Sequence, residues 1–121
     1  MEPLVDLMHR GKSQAPPPWV IWEALRDPWS MQGREWFDLH QGEIAPTIVE
    51  AERPHLVVWT SIWSDHPELR IRFDLVPAGA GSFVTWTLLG LAGALDEDDV
   101  GRRRYRLNQL INGRLRDTFD Q

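Results

Sequence analysis

The sequence predicts an α+β domain in which a curved antiparallel β-sheet is wrapped around one long C-terminal α-helix, with a short helix near the N-terminus. Residues 69–76 and 82–90 alternate apolar and polar side chains, which indicates two strands with one apolar face each. From about residue 98 to residue 119 the apolar spacing changes to three and four, which is typical of a helix packed on another element. We expect that element to be the sheet. The helical stripe consists of Leu107, Leu110, Ile111, Leu115 and Phe119.

The first elements are a strand and a short helix separated by prolines. Residues 4–13 predict a strand with Val5 and Leu7 on one side. Prolines are tolerated at the entry of a helix, so residues 19–26 predict a helix directly after the three consecutive prolines. Its apolar stripe is Ile21, Trp22 and Leu25. Periodicity is poor over residues 29–46, which we interpret as a loop or a short helix.

The middle of the chain predicts a meander of four strands. The strands cover residues 47–53, 56–63, 69–76 and 82–90, separated by turn residues. A turn that pairs Pro77 with Ser82 would put every apolar partner of the last two strands on one face. Its pairs are Leu75 with Val84, Phe73 with Trp86 and Ile71 with Leu88. A turn over residues 64–68 would place Trp59 opposite Phe73 and direct it inward.

Composition narrows the class of protein. A chain of 121 residues predicts a single domain over residues 1–121. The absence of cysteine excludes disulfides and cysteine metal sites and favours a reducing compartment. The net charge of -5 argues against general nucleic-acid binding. Residues 1–10 contain neither a secretory signal nor a membrane span, so we expect a cytoplasmic protein.

Three segments resemble the SRPBCC superfamily, also called START-like or helix-grip proteins. Residues 18–28, PWVIWEALRDP, resemble its first helix, and residues 81–87, GSFVTWT, resemble its Gly-Thr strand. Residues 104–112, RYRLNQLIN, resemble the gripping helix of small actinobacterial members, where the similarity is closest. The resemblance implies a helix-grip fold with a cavity between sheet and helix, used across the superfamily for lipids, sterols and polyketides. A minority of members are cyclases or dehydratases.

Large aromatic residues are the first candidate for a ligand site. Seven tryptophans in 121 residues give the predicted sheet and loop several large rings. The candidate wall consists of Trp36, Trp59, Trp63, Phe73 and Trp86. Apolar pockets are lined in this way, but the same rings could equally form a closed core.

Polar residues on the predicted C-terminal helix are the second candidate. Tyr105, Asn108 and Asn112 fall in one row with Leu115, beside the apolar stripe that contains Ile111. The two amides should reach inward, where a buried Asn needs a hydrogen-bond partner. A ligand or water could supply that partner, and loop backbone is the structural alternative, which we favour.

Catalytic signals are weak. His40 lies near Glu43 in sequence, and Tyr105 lies on the helical row, so His40 and Tyr105 are the only candidates for acid–base chemistry. The four histidines lack the spacing of a metal site, and we predict no metal and no cofactor.

The sequence therefore predicts a protein that binds an apolar or aromatic small molecule between its sheet and its C-terminal helix. One alternative is an enzyme of the polyketide cyclase or dehydratase kind, in which a single acid or base moves protons. The other is an interaction module without a ligand, such as a homodimer held by exposed tryptophans. Neither nucleic acid nor a membrane is expected as a partner.

Overall fold

The fold is a five-stranded antiparallel sheet covered by helices on its concave face, as the sequence predicts. The computed structural model describes residues 3–28 and 36–119. In chain order the elements are β1 (Val5–Gln14), α1 (Pro18–Arg26), β2 (Ile48–Glu52), β3 (Leu56–Thr60), β4 (Arg70–Ala78), β5 (Gly81–Gly90), α2 (Glu97–Leu107), a π-helical segment (Asn108–Leu115) and α3 (Arg116–Phe119). The last three join end to end and are called the C-terminal helix below. None of the described helices combines the length and the hydrophobicity that a transmembrane span needs.

Sheet order is β1-β5-β4-β3-β2, so the first strand pairs with the last and the middle strands form a meander. The predicted register of β4 and β5 is confirmed at all four pairs, from Pro77 opposite Ser82 to Ile71 opposite Leu88. Because the side-chain period of a strand is two, this register directs the apolar residues of both strands to one side.

The predicted register of β3 is wrong by two residues. Trp59 lies opposite Ile71, not Phe73. The strand ends at Thr60 because the chain then turns at Ser61, whose hydroxyl accepts a hydrogen bond from the Trp63 backbone N–H at 2.9 Å. A shift of two residues preserves the face, so Trp59 still points into the core and is fully buried.

The N-terminal helix forms as predicted. Pro18 occupies its first turn, where a missing N–H costs nothing, and Ile21, Trp22 and Leu25 are buried. Trp22 donates its indole N–H to the Leu56 carbonyl of β3 at 2.9 Å. Residues 36–46, for which a loop or short helix was predicted, form a loop joined to the rest by a bridge between Glu43 and Trp63. Residues 29–35 of the same prediction lie outside the described residues.

Strand β1 carries a β-bulge that the sequence does not reveal. Val5 lies opposite Gly90 and Asp6 opposite Leu89, but the next paired residue is Met8, so Leu7 is the extra residue of the bulge. Beyond it, Arg10 lies opposite Trp86 and Lys12 opposite Val84. Trp86 and Val84 point into the core, so Arg10 and Lys12 share the concave side of the sheet.

The C-terminal helix begins at the predicted place. The Asp96 carboxylate caps it by accepting a hydrogen bond from the Asp99 backbone N–H at 2.8 Å. Its predicted stripe faces the sheet: Leu107, Leu110, Ile111 and Leu115 are fully buried, and Phe119 packs against the core from its edge. The π-helical geometry of residues Asn108–Leu115 was not predicted.

Candidate functional site

The predicted aromatic wall is a packed cluster in this structure. Trp59 stacks on Trp36 with ring centroids 6.2 Å apart and meets Phe73 edge-on at 4.6 Å. The indole N–H of Trp59 donates to the Leu25 carbonyl at 2.7 Å. All five candidate rings, Trp36, Trp59, Trp63, Phe73 and Trp86, are buried, as are Ile111 and Leu115. Their role as a ligand wall stays a prediction.

Trp86 connects this cluster to the two amides of the C-terminal helix. Its indole N–H donates to Oδ1 of Asn108 at 3.0 Å. The Nδ2 group of Asn112 donates to the same oxygen at 3.1 Å. An indole can only donate, so it fixes the orientation of the Asn108 amide, which in turn fixes that of Asn112. The predicted inward position of both amides is what the structure shows, with a side chain of the sheet as the partner.

Two buried oxygens beside this network lack partners. Oδ1 of Asn112 and Oε1 of Gln14 form no hydrogen bond within the part of the chain that the structure describes. Gln14 uses its Nε2 group to reach the Ile111 carbonyl in the π-helical segment at 3.1 Å. Buried polar side-chain atoms are usually satisfied, so these two unpaired acceptors, one in the π-helical segment and one on a residue bonded to it, are exceptions.

An open cleft of about 590 Å³ lies between β1 and the C-terminal helix. We call it the β1 cleft, and its lining residues are Arg10, Gly11, Lys12, Arg104, Tyr105, Asn108, Gln109, Asn112 and Gly113. The predicted row of Tyr105, Asn108 and Asn112 therefore forms its helical wall. Arg10 and Lys12 reach it from the sheet, because the bulge at Leu7 turns them to the concave side.

Sequence reasoning missed the basic side of this cleft. Simple alternation from Val5 and Leu7 would direct residues 9, 11 and 13 inward and leave Arg10 and Lys12 on the outer face. Gln14 was missed as well, because it follows the predicted end of the strand. The one available signal was Arg104, which lies four residues before Asn108 and so on the same helical face.

On another side of the helix, Arg106 anchors the loop of residues 36–46. It forms two hydrogen bonds of 2.9 Å with the Glu43 carboxylate and one of 2.6 Å with the Asp38 carbonyl. The side chains of Arg106 and Glu43 are only 7% and 6% exposed. Burial raises the pKa of Glu43, but hydrogen bonds from Arg106 and from the His40 backbone N–H outweigh it, so the pKa lies below its usual 4.5.

Next to that pair, Arg103 lies over the ring of Trp63, with its Cζ atom 4.8 Å from the ring centroid. Its Nη2 atom lies 3.2 Å from Oδ2 of Asp65. These groups border a second cleft of about 550 Å³, which we call the loop cleft. Its lining residues are His40, Gln41, Gly42, Glu43, Trp63, Ser64, Asp65, Arg102, Arg103, Tyr105, Arg106 and Gln109.

Both weak catalytic candidates border the loop cleft. His40 is paired with Asp38 at 3.3 Å, and the Tyr105 side chain is largely exposed between the two clefts. Among the described residues no hydrogen bond joins either group to the amide network, so a catalytic role for them stays a prediction. Among the described residues there is no group of three or more His, Asp or Glu side chains able to hold a metal ion.

Comparison with known proteins identifies the fold. No protein-family model matches the sequence, and no curated protein matches it. The chain is similar to the crystal structure of CalU16 from Micromonospora echinospora, with 21% identity, a TM-score of 0.58, and coverage of 88% of this chain and 74% of that one.

Two solution structures agree with this comparison. The Aha1 dimer from Colwellia psychrerythraea has 14% identity and a TM-score of 0.60, with 88% of this chain and 96% of that chain covered. A protein of Bacillus halodurans has 20% identity and the same TM-score over 98% of this chain and 99% of its own. At such low identities the likeness shows the fold. The predicted helix-grip fold is therefore confirmed.

Proposed function

We propose that the protein binds a small organic molecule with an apolar or aromatic body in the β1 cleft, between the edge of the sheet and the C-terminal helix. The observation that carries this proposal is the β1 cleft itself, an open space of about 590 Å³ whose helical wall contains Asn112, a residue with an unpaired Oδ1. A buried acceptor without a partner costs about 1–3 kcal/mol. Oδ1 is buried in the free protein, so a bound molecule would remove that cost by offering an N–H or O–H donor once the atoms that cover Oδ1 move aside.

The backbone around Asn108 and Asn112 also favours a binding site in the β1 cleft. Asn108 and Asn112 both lie in the π-helical segment, and π-helical turns inside longer helices occur frequently at functional sites. The Trp86 indole holds the two amides in one orientation before any ligand arrives. A site whose polar groups are already oriented loses less entropy on binding than one that must order them.

The aromatic cluster has a supporting role in this proposal. Phe73 lies opposite Trp86 on the neighbouring strand and meets Trp59 edge-on, and all three rings are fully buried. The indole that positions Asn108 therefore cannot shift without disturbing the packed core. The exposed Tyr105 ring offers an apolar surface at the entrance of the cleft. We therefore place the ligand beside the cluster, with the rings as its rigid background.

Native mass spectrometry of the protein purified from its native host tests the proposal. We expect an additional mass that is absent under denaturing conditions and is lost in Asn112→Ala. The matched control is Gln41→Ala, which removes an amide from the loop cleft and should keep the mass. A clean apo mass, or a mass that Asn112→Ala retains, would contradict binding at Asn112.

We also propose a cytoplasmic location, which recovery of the loaded protein from the cytoplasmic fraction would support.

A homodimer is the second candidate, and it is compatible with ligand binding. It is favoured by the fold similarity to an Aha1 dimer and by two apolar residues, Val76 and Phe83, that lie opposite each other and are exposed on neighbouring strands. Sedimentation velocity over a hundredfold range of concentration tests it. We expect a dimer that Phe83→Asp dissociates, whereas a monomer at every concentration would exclude it.

A further inference from the structure

Positive charge collects in the β1 cleft without any counter-charge. Three of its nine lining residues, Arg10, Lys12 and Arg104, are cationic, and none of the nine is a carboxylate. Within the described residues, none of these three cations has a carboxylate oxygen within 4 Å, so none of them forms an ion pair. Arg10 donates instead to the His9 carbonyl, which leaves its charge uncompensated.

The rest of the C-terminal helix shows the opposite arrangement. Arg102 contacts Asp99, Arg103 contacts Asp65, and Arg106 contacts Glu43, so each arginine toward the loop cleft is paired with a carboxylate. The whole chain has 18 acidic and 13 basic residues. Although carboxylates are in surplus, three unpaired cations lie around this one cleft, and they repel one another when the cleft is empty.

We infer that the molecule bound in the β1 cleft is an anion, specifically a small planar aromatic carboxylate. The carboxylate would lie between Arg10 and Lys12 on the sheet side, where charge-assisted hydrogen bonds are roughly twice as strong as neutral ones. The aromatic body would lie along Tyr105, and a donor group on it would reach Asn112. This inference rests on the proposed function, since it names the ligand class of the same cleft.

The space available is consistent with this assignment. The cleft's volume of about 590 Å³ falls in the range of about 300–1,000 Å³ typical of small-molecule sites. Arg10 and Lys12 are two residues apart on β1 and project from the same side of the strand, with their Cα atoms about 7 Å apart. A single small anion can therefore approach both of them.

Paired probes separate charge from shape. We would titrate the protein with benzoate, 2-naphthoate and indole-3-carboxylate and, in parallel, with the primary amide of each, following backbone amide signals by NMR. Acid and amide have nearly the same shape. For the acid that binds best, we expect about tenfold tighter binding than for its amide, with shifts at residues 10–12 and 104–113.

Variants that each remove one positive charge then show which residues cause the preference for the acid over its amide. Arg10→Gln and Lys12→Gln should each reduce the preference for the acid at least threefold. Arg26→Gln is the matched control, because it removes one positive charge from α1, outside the lining of the β1 cleft, and should leave the preference unchanged. A preference that all three variants reduce equally would reflect only net charge and would overturn the inference.

The outcomes distinguish the inference from the proposed function. If acid and amide bind equally well with shifts at the β1 cleft, the cleft is a ligand site but the inference of an anion is wrong. If no probe shifts residues 10–12 and 104–113, or if the shifts occur only around the loop cleft, both the inference and the place of binding are contradicted. Raising the salt concentration should weaken the binding of the acid and leave the binding of the amide unaffected.

Discussion

Tryptophan indoles organise the core one hydrogen bond at a time. Trp22 of α1 donates to the Leu56 carbonyl of β3, and Trp59 of β3 donates back to the Leu25 carbonyl in the last turn of α1. Carbonyls in the last turn of a helix lack intrahelical partners, so Trp59 satisfies one of them. The two bonds tie helix and strand together reciprocally. Trp86 differs from them, because its acceptor is the Asn108 side chain rather than backbone.

Replacing Trp86 by Phe tests this residue-scale role. The variant keeps an aromatic ring but removes the donor that orients the Asn108 amide. We expect a loss of about 0.5–1.5 kcal/mol in the free energy of unfolding from the missing hydrogen bond, because Asn112 still donates to the Asn108 oxygen, with a further cost from the smaller ring. Urea unfolding measures the loss. Side-chain amide signals of Asn108 and Asn112 should also move by NMR, and if they stay in place the amide network does not depend on the indole.

At the scale of elements, the close approach of β5 to the end of β1 depends on Gly81. A Cβ atom at this position would lie 2.3 Å from the Gln14 carbonyl oxygen and 2.8 Å from that of Ala15. Both are backbone atoms, which cannot move aside without moving the strand. Ser82 secures the same junction by donating from its hydroxyl to the Pro16 carbonyl at 2.7 Å.

Two Gly→Ala substitutions should therefore have opposite signs. Gly81→Ala forces the β1 end away from β5, and we expect it to destabilise by about 1–3 kcal/mol. Gly101→Ala lies in α2, where no atom is near the added Cβ, and should stabilise by up to about 1 kcal/mol because alanine is the better helix former. Thermal unfolding of both variants checks the signs. Destabilisation by both would mean that the helix at Gly101 lacks the space described.

Elements differ in how far their sequence predicts them. The pairing of Phe73 with Trp86 followed from alternation and a short turn, because a slip of one residue would expose every apolar side chain. The end of β3 at Thr60 could not be predicted, since it depends on the side-chain turn at Ser61. The bulge at Leu7 and the π-helical segment each change a local repeat without a distinctive residue type. Two features of the candidate site, Arg10 and Lys12, were missed for that reason.

Across the whole molecule, a buried ion pair connects the loop of residues 36–46 to the C-terminal helix. Glu43 and Arg106 are almost fully buried, and Arg114 reinforces the connection by donating to the Trp36 carbonyl at 2.7 Å. Leaving one charge of a buried pair without its partner is far more costly than breaking an exposed pair. The position of the Trp36 ring in the core therefore depends on a buried charge pair between the same loop and the C-terminal helix.

Glu43→Gln should destabilise the protein by about 3 kcal/mol at neutral pH. The pKa of Glu43 is lowered in the folded state, so its charge stabilises the fold above pH 4.5 and this contribution is lost as the pH falls through the lowered value. The difference between wild type and variant should consequently shrink as the solution is acidified below that point. Urea unfolding of both proteins from pH 7 to pH 3 measures this difference in the free energy of unfolding.

The exposed pair of Glu23 and Arg53 provides the control for this measurement. These side chains are 53% and 59% exposed, and the distance between them is 3.3 Å. Glu23→Gln should change the free energy of unfolding by less than about 1 kcal/mol at any pH. If Glu43→Gln behaves in the same way, the buried pair does not hold the loop in solution.

The bulge at Leu7 decides which residues of the edge strand face the β1 cleft. Deleting Leu7 would restore regular pairing and leave Arg10 opposite Trp86, because the bulge adds one unpaired residue to β1. A strand of the present length without a bulge would instead direct His9, Gly11 and Ser13 to the concave side. The extra residue thus acts as a phase shift of one position, which exchanges a nearly neutral edge for a basic one without any substitution.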